Sequence, residues 1–208
     1  MTPRPTGPTG PAINLPPGVL VLMAVIVITH LALSLAGEDL RNDALLALGF
    51  IPLRFSAEAE NPGAWATLLS YQALHAGWLH LGVNTLALAA FGSAVERMAG
   101  PARMAVLGVG AGVAGALAQW AADPGALALL IGASGLTSGL FGAALIGMRR
   151  LGGGGGLLPL AAIWIAVAIL SGQMAAPDGA GSIAWIAHIG GFLFGLAGAA
   201  LLLRPRTR

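Results

Sequence analysis

The sequence predicts an all-α polytopic membrane protein with six spanning helices and a long, structured first external loop. Three observations predict it. Of 208 residues, 57% are hydrophobic and only 9% charged, against roughly 25% charged in soluble domains. Apolar runs close to the ~20 residues that cross the hydrocarbon recur between polar connections. Finally, the arginines fall mostly on one side of the resulting topology. The 32 glycines suit such a bundle, because small side chains let helix backbones approach in lipid.

Residues 1–17, rich in Pro, Thr and Gly, read as a disordered tail rather than a secretory signal, since the apolar run that follows is too long and lacks a clear cleavage site. The first span covers about 18–36. A polar connection from Gly37 to Ser70 follows, with Glu38, Asp39, Arg41, Asp43, Arg54, Glu58 and Glu60 interrupted by apolar pieces. Its alternation predicts short amphipathic helices at the interface. The second and third spans cover about 78–98 and 102–122, joined at Gly100-Pro101. From Asp123 to Met148 the chain is long for one crossing, so the first part is expected to dip into the protein before a helix over 133–148. Gly152 to Gly156 form a loop, and the last spans cover 157–174 and 182–203, before a basic tail over 204–208. Residues 18–203 thus make one membrane domain.

With six spans, one side carries Arg4, Arg97, Arg103, Arg149, Arg150, Arg204, Arg206 and Arg208 against Glu96 alone. The other carries Arg41 and Arg54 against seven acids, which include Asp123 and Asp178. The positive-inside rule then puts both termini in the cytoplasm. With no cysteine and no lysine, thiol and Schiff-base chemistry are excluded. A pI near 10.4 with a net charge of only +2 does not make a nucleic-acid binder.

Two polar residues inside apolar runs carry the chemistry. Ser134 lies in Gly132-Ala133-Ser134-Gly135, at the outward end of the fourth span; His188 lies in Ala187-His188-Ile189-Gly190-Gly191, about 9 Å into the sixth at about 1.5 Å per residue. Alone, the serine reads as packing filler and the histidine as a satisfied core residue. Together they sit at matching depths, and each is followed by a small-xxx-small pair, Gly135/Gly139 and Gly191/Gly195. That spacing brings helices into close contact, and a hydroxyl within reach of an imidazole is an activated nucleophile. His80 and Asn84 share one face of the second span, where their N–H donors could stabilise an oxyanion. His75, five residues before His80, belongs to the loop. No glutamate accompanies these histidines within the spans, so neither a metal nor another cofactor is expected. His30 reads as a structural hydrogen-bond donor, and Trp78 and Trp185 as interfacial anchors.

These residues give the chain a family. Over nearly its whole length it resembles the rhomboid intramembrane serine proteases, through His75, His80 and Asn84 in HAGWLHLGVN, through GASG around Ser134 with Gly139 and Gly142 beyond it, and through Ala187, His188, Gly190, Gly191 and Gly195. The resemblance implies a six-helix rhomboid bundle of the bacterial type, with Ser134 as nucleophile and His188 as general base, and no orienting carboxylate. It implies an oxyanion hole from the Ser134 N–H, His80 and Asn84, while His75 steadies the external loop. Implied substrates are transmembrane proteins, cleaved in or near the outer part of their membrane segment, with the fifth span as lateral gate and the site opening outward from a bacterial plasma membrane. Two positions depart from the pattern. Ser138 stands where the family usually has an aromatic beneath the histidine, and Trp65-Ala66 where it has Trp-Arg. The alternative is a non-proteolytic relative that binds transmembrane helices, although this chain keeps both dyad residues. A transporter or channel is disfavoured, because no carboxylate lies in the middle of any span.

Overall fold

A computed structural model describes residues 14–152, 157–174 and 184–202. The N-terminal tail up to residue 13, most of the glycine loop, the first two residues expected of the last span, Asp178, Arg4 and the C-terminal arginines lie outside the described residues. Four described helices are long and apolar enough to cross a membrane: Pro17–Leu35, Trp78–Ala99, Pro101–Ala122 and Trp185–Leu202.

In chain order the elements are α1 (Pro17–Leu35), α2 (Glu38–Leu48), α3 (Pro52–Ala57), α4 (Pro62–Ser70) and a 3₁₀ turn (Tyr71–Ala73). Then come α5 (Trp78–Ala87), a π turn (Leu88–Gly92), α6 (Ser93–Ala99), α7 (Pro101–Ala122), α8 (Ser134–Arg150), α9 (Leu157–Met174) and α10 (Ala184–Leu202). Four helices open on proline at the first turn, where the missing N–H costs nothing: Pro17, Pro52, Pro62 and Pro101. Before α10, the start expected at Ser182 falls outside the described residues.

Helix α8 is the centre of the bundle. Every residue from Gly135 to Leu145 is buried, as expected for a helix surrounded by other helices. Its neighbours α7 and α10 come so close that glycine is required at the contacts. A Cβ on Gly195 would overlap the Gly139 carbonyl, and one on Gly191 the Gly135 carbonyl. A Cβ on Gly142 would lie 2.6 Å from Phe192 O, and one on Gly115 2.5 Å from Ala187 O. Helix α9 attaches through aromatic rings instead: Trp164 packs tilted against Phe141 (5.0 Å between centroids) and edge-on to Phe91 (5.4 Å).

Helix α1 is fastened by a residue that the charge count had treated only as a lone acid. Glu96, buried in α6, accepts from Gly18 N–H (2.9 Å) and Val19 N–H (2.8 Å). Pro16 offers no side-chain cap to these groups, and a carboxylate is well placed at the positive end of a helix. Around it, Arg97 donates to Asn14 O and Arg150 to Ala200 O. Glu96→Ala leaves the buried Val19 N–H and the half-buried Gly18 N–H unpaired, so resistance to unfolding in SDS should fall by roughly 2 kcal/mol. An unchanged unfolding midpoint would remove Glu96 as the clamp of α1.

Candidate active site

Ser134 is the first residue of α8, so its side chain and N–H stand at the helix entrance, where the first N–H groups have no partner within the helix. The preceding stretch, Asp123 to Ala133, is not helical and passes into the protein. It is held in place by the external segment: Phe50 and Leu130 exchange both backbone hydrogen bonds (3.1 and 2.8 Å), Leu53 N–H donates to Ala126 O, and Gly132 N–H to Tyr71 O (2.9 Å). These bonds satisfy backbone groups that could not be left bare at that depth.

The contact of α8 with α10 brings the two sequence-predicted residues together. His188 Nε2 lies 2.8 Å from Ser134 Oγ, hydrogen-bond distance for a serine and its base. Gly191 and Gly195 occupy the two turns of α10 after His188 and rest on the backbone of Gly135 and Gly139.

His80 faces the same entrance. A Cβ on Gly132 would lie 2.7 Å from both Cε1 and Nε2 of His80, so the imidazole edge is packed on the backbone two residues before Ser134. On the other side of the ring, Ala76 N–H points at Nδ1 (3.4 Å). With Nδ1 as acceptor, neutral His80 carries its proton on Nε2, toward Gly132. Asn84 is buried one turn deeper, and its Nδ2 donates to His80 O (2.9 Å). One amide N–H is thereby used within the helix, and the second is the one that could serve a ligand.

His75 is buried in the loop before α5, its Nδ1 3.3 Å from Ala73 O and its ring 5.1 Å from that of His80. Burial, helped by the neighbouring His80, pushes its pKa from 6.5 down to about 4. His30, read from the sequence as a structural hydrogen-bond donor, is buried too; its ring meets Trp78 edge-on at 4.7 Å and lies 6.5 Å from His75. Thus α1 supports the loop that presents His80. Among the described residues, no three His, Asp or Glu side chains are arranged to hold a metal ion.

Two residues near the site carried no role in the sequence reading. Tyr71, the single tyrosine, is buried, and its hydroxyl donates to Gly112 O at 2.7 Å. Burial raises its pKa, so it remains a donor. A Cβ on Gly135 would sit 3.3 Å from that hydroxyl. Being the only tyrosine, between the polar connection and His75, was the signal available. Ser138 is fully buried, donates to Ser134 O (2.7 Å) and ties down the first turn of α8.

Two predictions follow from this geometry. Gly132 has φ of +115°, so Gly132→Ala combines about 1–3 kcal/mol of backbone strain with a clash against His80. It should lower both thermal stability and any activity; a fully active, equally stable variant would refute the packing described. For His75, the unfolded chain takes up a proton between pH 6.5 and about 4 that the folded chain does not. Stability should therefore fall as pH drops through that window. His75→Gln should flatten the thermal-midpoint profile there, and an identical slope would contradict the burial of a neutral ring.

Comparison with known proteins identifies the family. A model of the Rhomboid domain matches residues 62–205. The chain is 34% identical over 125 residues to the rhomboid protease GluP of Bacillus subtilis (strain 168), covering 60% of this chain and 23% of GluP. It is 38% identical over 80 residues to YdcA, a rhomboid relative from the same organism, covering 38% of this chain and 40% of YdcA. The aligned parts span less than half of either relative. With the domain match extending from α4 past the end of α10, through His80, Ser134 and His188, this chain is an integral membrane protein and belongs to the rhomboid family.

Proposed function

We propose that the protein is an intramembrane serine endopeptidase with a Ser134–His188 dyad. The observation that carries this reading is the 2.8 Å approach of His188 Nε2 to Ser134 Oγ. In the proposed reaction His188 takes the Ser134 proton as Oγ attacks the scissile carbonyl carbon. The tetrahedral oxyanion is met by the Ser134 N–H, His80 Nε2–H and the free N–H of Asn84. The C–N bond then breaks as His188 gives the proton to the leaving amine. Water, deprotonated by the same imidazole, attacks the acyl ester and restores Ser134.

The rest of the proposed arrangement follows from this site. Six helices cross the bilayer, the four long apolar ones together with α8 and α9, over a domain from 18 to 203. Arg97, Arg103, Arg149 and Arg150 mark the cytoplasmic side, both termini lie there, and Ser134 opens outward from a bacterial plasma membrane. Substrates are transmembrane proteins, entering beside α9, which attaches to Phe91 and Phe141 through the ring of Trp164, whereas α7, α8 and α10 are locked by glycine contacts. A scissile peptide must leave its helix to reach Ser134, so small residues and weak helix near the outer end of the substrate segment favour cleavage.

Purified protein in liposomes should cut a membrane-anchored reporter, and Ser134→Ala and His188→Ala should not. A folded wild type that cuts none of several reporters would instead favour a relative that only binds transmembrane helices. His80→Ala and Asn84→Ala should each lower kcat by very roughly 10²-fold, the cost of one oxyanion donor elsewhere. Wild-type kcat in either would remove that residue from the hole.

A further inference from the structure

Resting on the protease reading, we infer that Arg41 of α2 is a positioning residue for the oxyanion hole, acting through Ala76 on His80. The guanidinium of Arg41 donates to Ala76 O, 35 residues along the chain. Ala76 lies in the short connection 74–77 between the 3₁₀ turn and α5. Helix α5 has Gly77 as its N-cap and no side-chain cap, so its own sequence does little to fix how this connection enters the helix.

Ala76 is also the residue whose N–H points at His80 Nδ1 (3.4 Å). The two bonds sit on either side of one Cα: Arg41 holds the carbonyl, and the N–H holds the imidazole. The orientation and the tautomer of His80 both depend on that N–H. If the 74–77 connection swings, Nδ1 loses its donor, and the proton is no longer confined to the nitrogen that faces Gly132. The bond is long for an N–H donor, so a small displacement of Ala76 suffices to lose it. Arg41 is suited to the task, since the bond of a guanidinium to a carbonyl is charge-assisted.

Two arginines lie in the external segment, Arg41 and Arg54. Arg54 anchors that segment internally, on Leu46 O and Gly49 O. Arg41 instead reaches across to the loop that presents the oxyanion donor.

The test is a double-mutant cycle on reporter cleavage, with a second readout that needs no activity. Arg41→Ala should lower kcat roughly tenfold, less than the roughly 10²-fold cost of losing a donor outright, with KM and thermal midpoint nearly unchanged. Arg41→Lys should recover most of the loss. In a His80→Ala background, Arg41→Ala should cost nothing further, because both changes act on one group. Losses that multiply, or a wild-type kcat in Arg41→Ala, overturn the inference. In parallel, ¹⁵N-histidine NMR should show His80 protonated at Nε2 in the wild type and a mixture of tautomers in Arg41→Ala and Arg41→Gln. An unchanged His80 signal overturns the link. If the wild type cleaves nothing yet the His80 signal responds to Arg41, the protease reading fails while the Arg41–His80 link stands.

Discussion

The contact between the backbones of α8 and α10 is the constraint on which the site depends. In lipid, helices gain nothing from burying apolar side chains against each other, so close packing and hydrogen bonds hold them together. Here the packing is nearly side-chain-free. Gly191 lies on the Gly135 carbonyl and Gly195 on that of Gly139, and α7 completes the contact through Gly115 against Ala187. A methyl group at Gly115, Gly191 or Gly195 would overlap the facing carbonyl and push α10 away. That displacement would be passed directly to His188, whose distance from Ser134 is 2.8 Å.

The second half of the site rests on the external segment rather than on the helices. Its buried rings, Phe50, Phe55 and Tyr71, form one cluster with Ala116, Leu130 and Ala187. Through Phe50 and Tyr71 the same segment bonds the backbone of Leu130 and Gly132. The strand-like approach to Ser134 is therefore shaped from outside, and Ser134 is positioned where this approach turns into α8. Such an arrangement lets the dip stay irregular while its polar groups remain satisfied.

What the sequence made legible was periodic or local. Ser134 and His188 could be paired because each is followed by a four-residue glycine spacing at a similar depth. The dip before Ser134 showed as an apolar run too long for one helix. The contacts that could not be read join side chains to distant backbone groups: Glu96 to Gly18 and Val19, Tyr71 to Gly112, Arg41 to Ala76. A backbone acceptor or donor has no residue type, so nothing at Gly112 or Ala76 announces the partner. His30 illustrates the same limit. Its position in an apolar helix said only that it needed company, whereas the crossing of α1 over the loop decided that Trp78 and His75 supply it. Ser138 was legible only as a departure; its bond to Ser134 O required the fold.

The central claim is that Ser134 is a nucleophile activated by His188. Intact-mass and peptide mapping after treatment with a fluorophosphonate, which phosphonylates activated serines, tests it without any choice of substrate. The account predicts one adduct per chain, on Ser134, absent in Ser134→Ala and formed far more slowly in His188→Ala. Folded protein that takes up no label, or a label on another residue that survives Ser134→Ala, would contradict it.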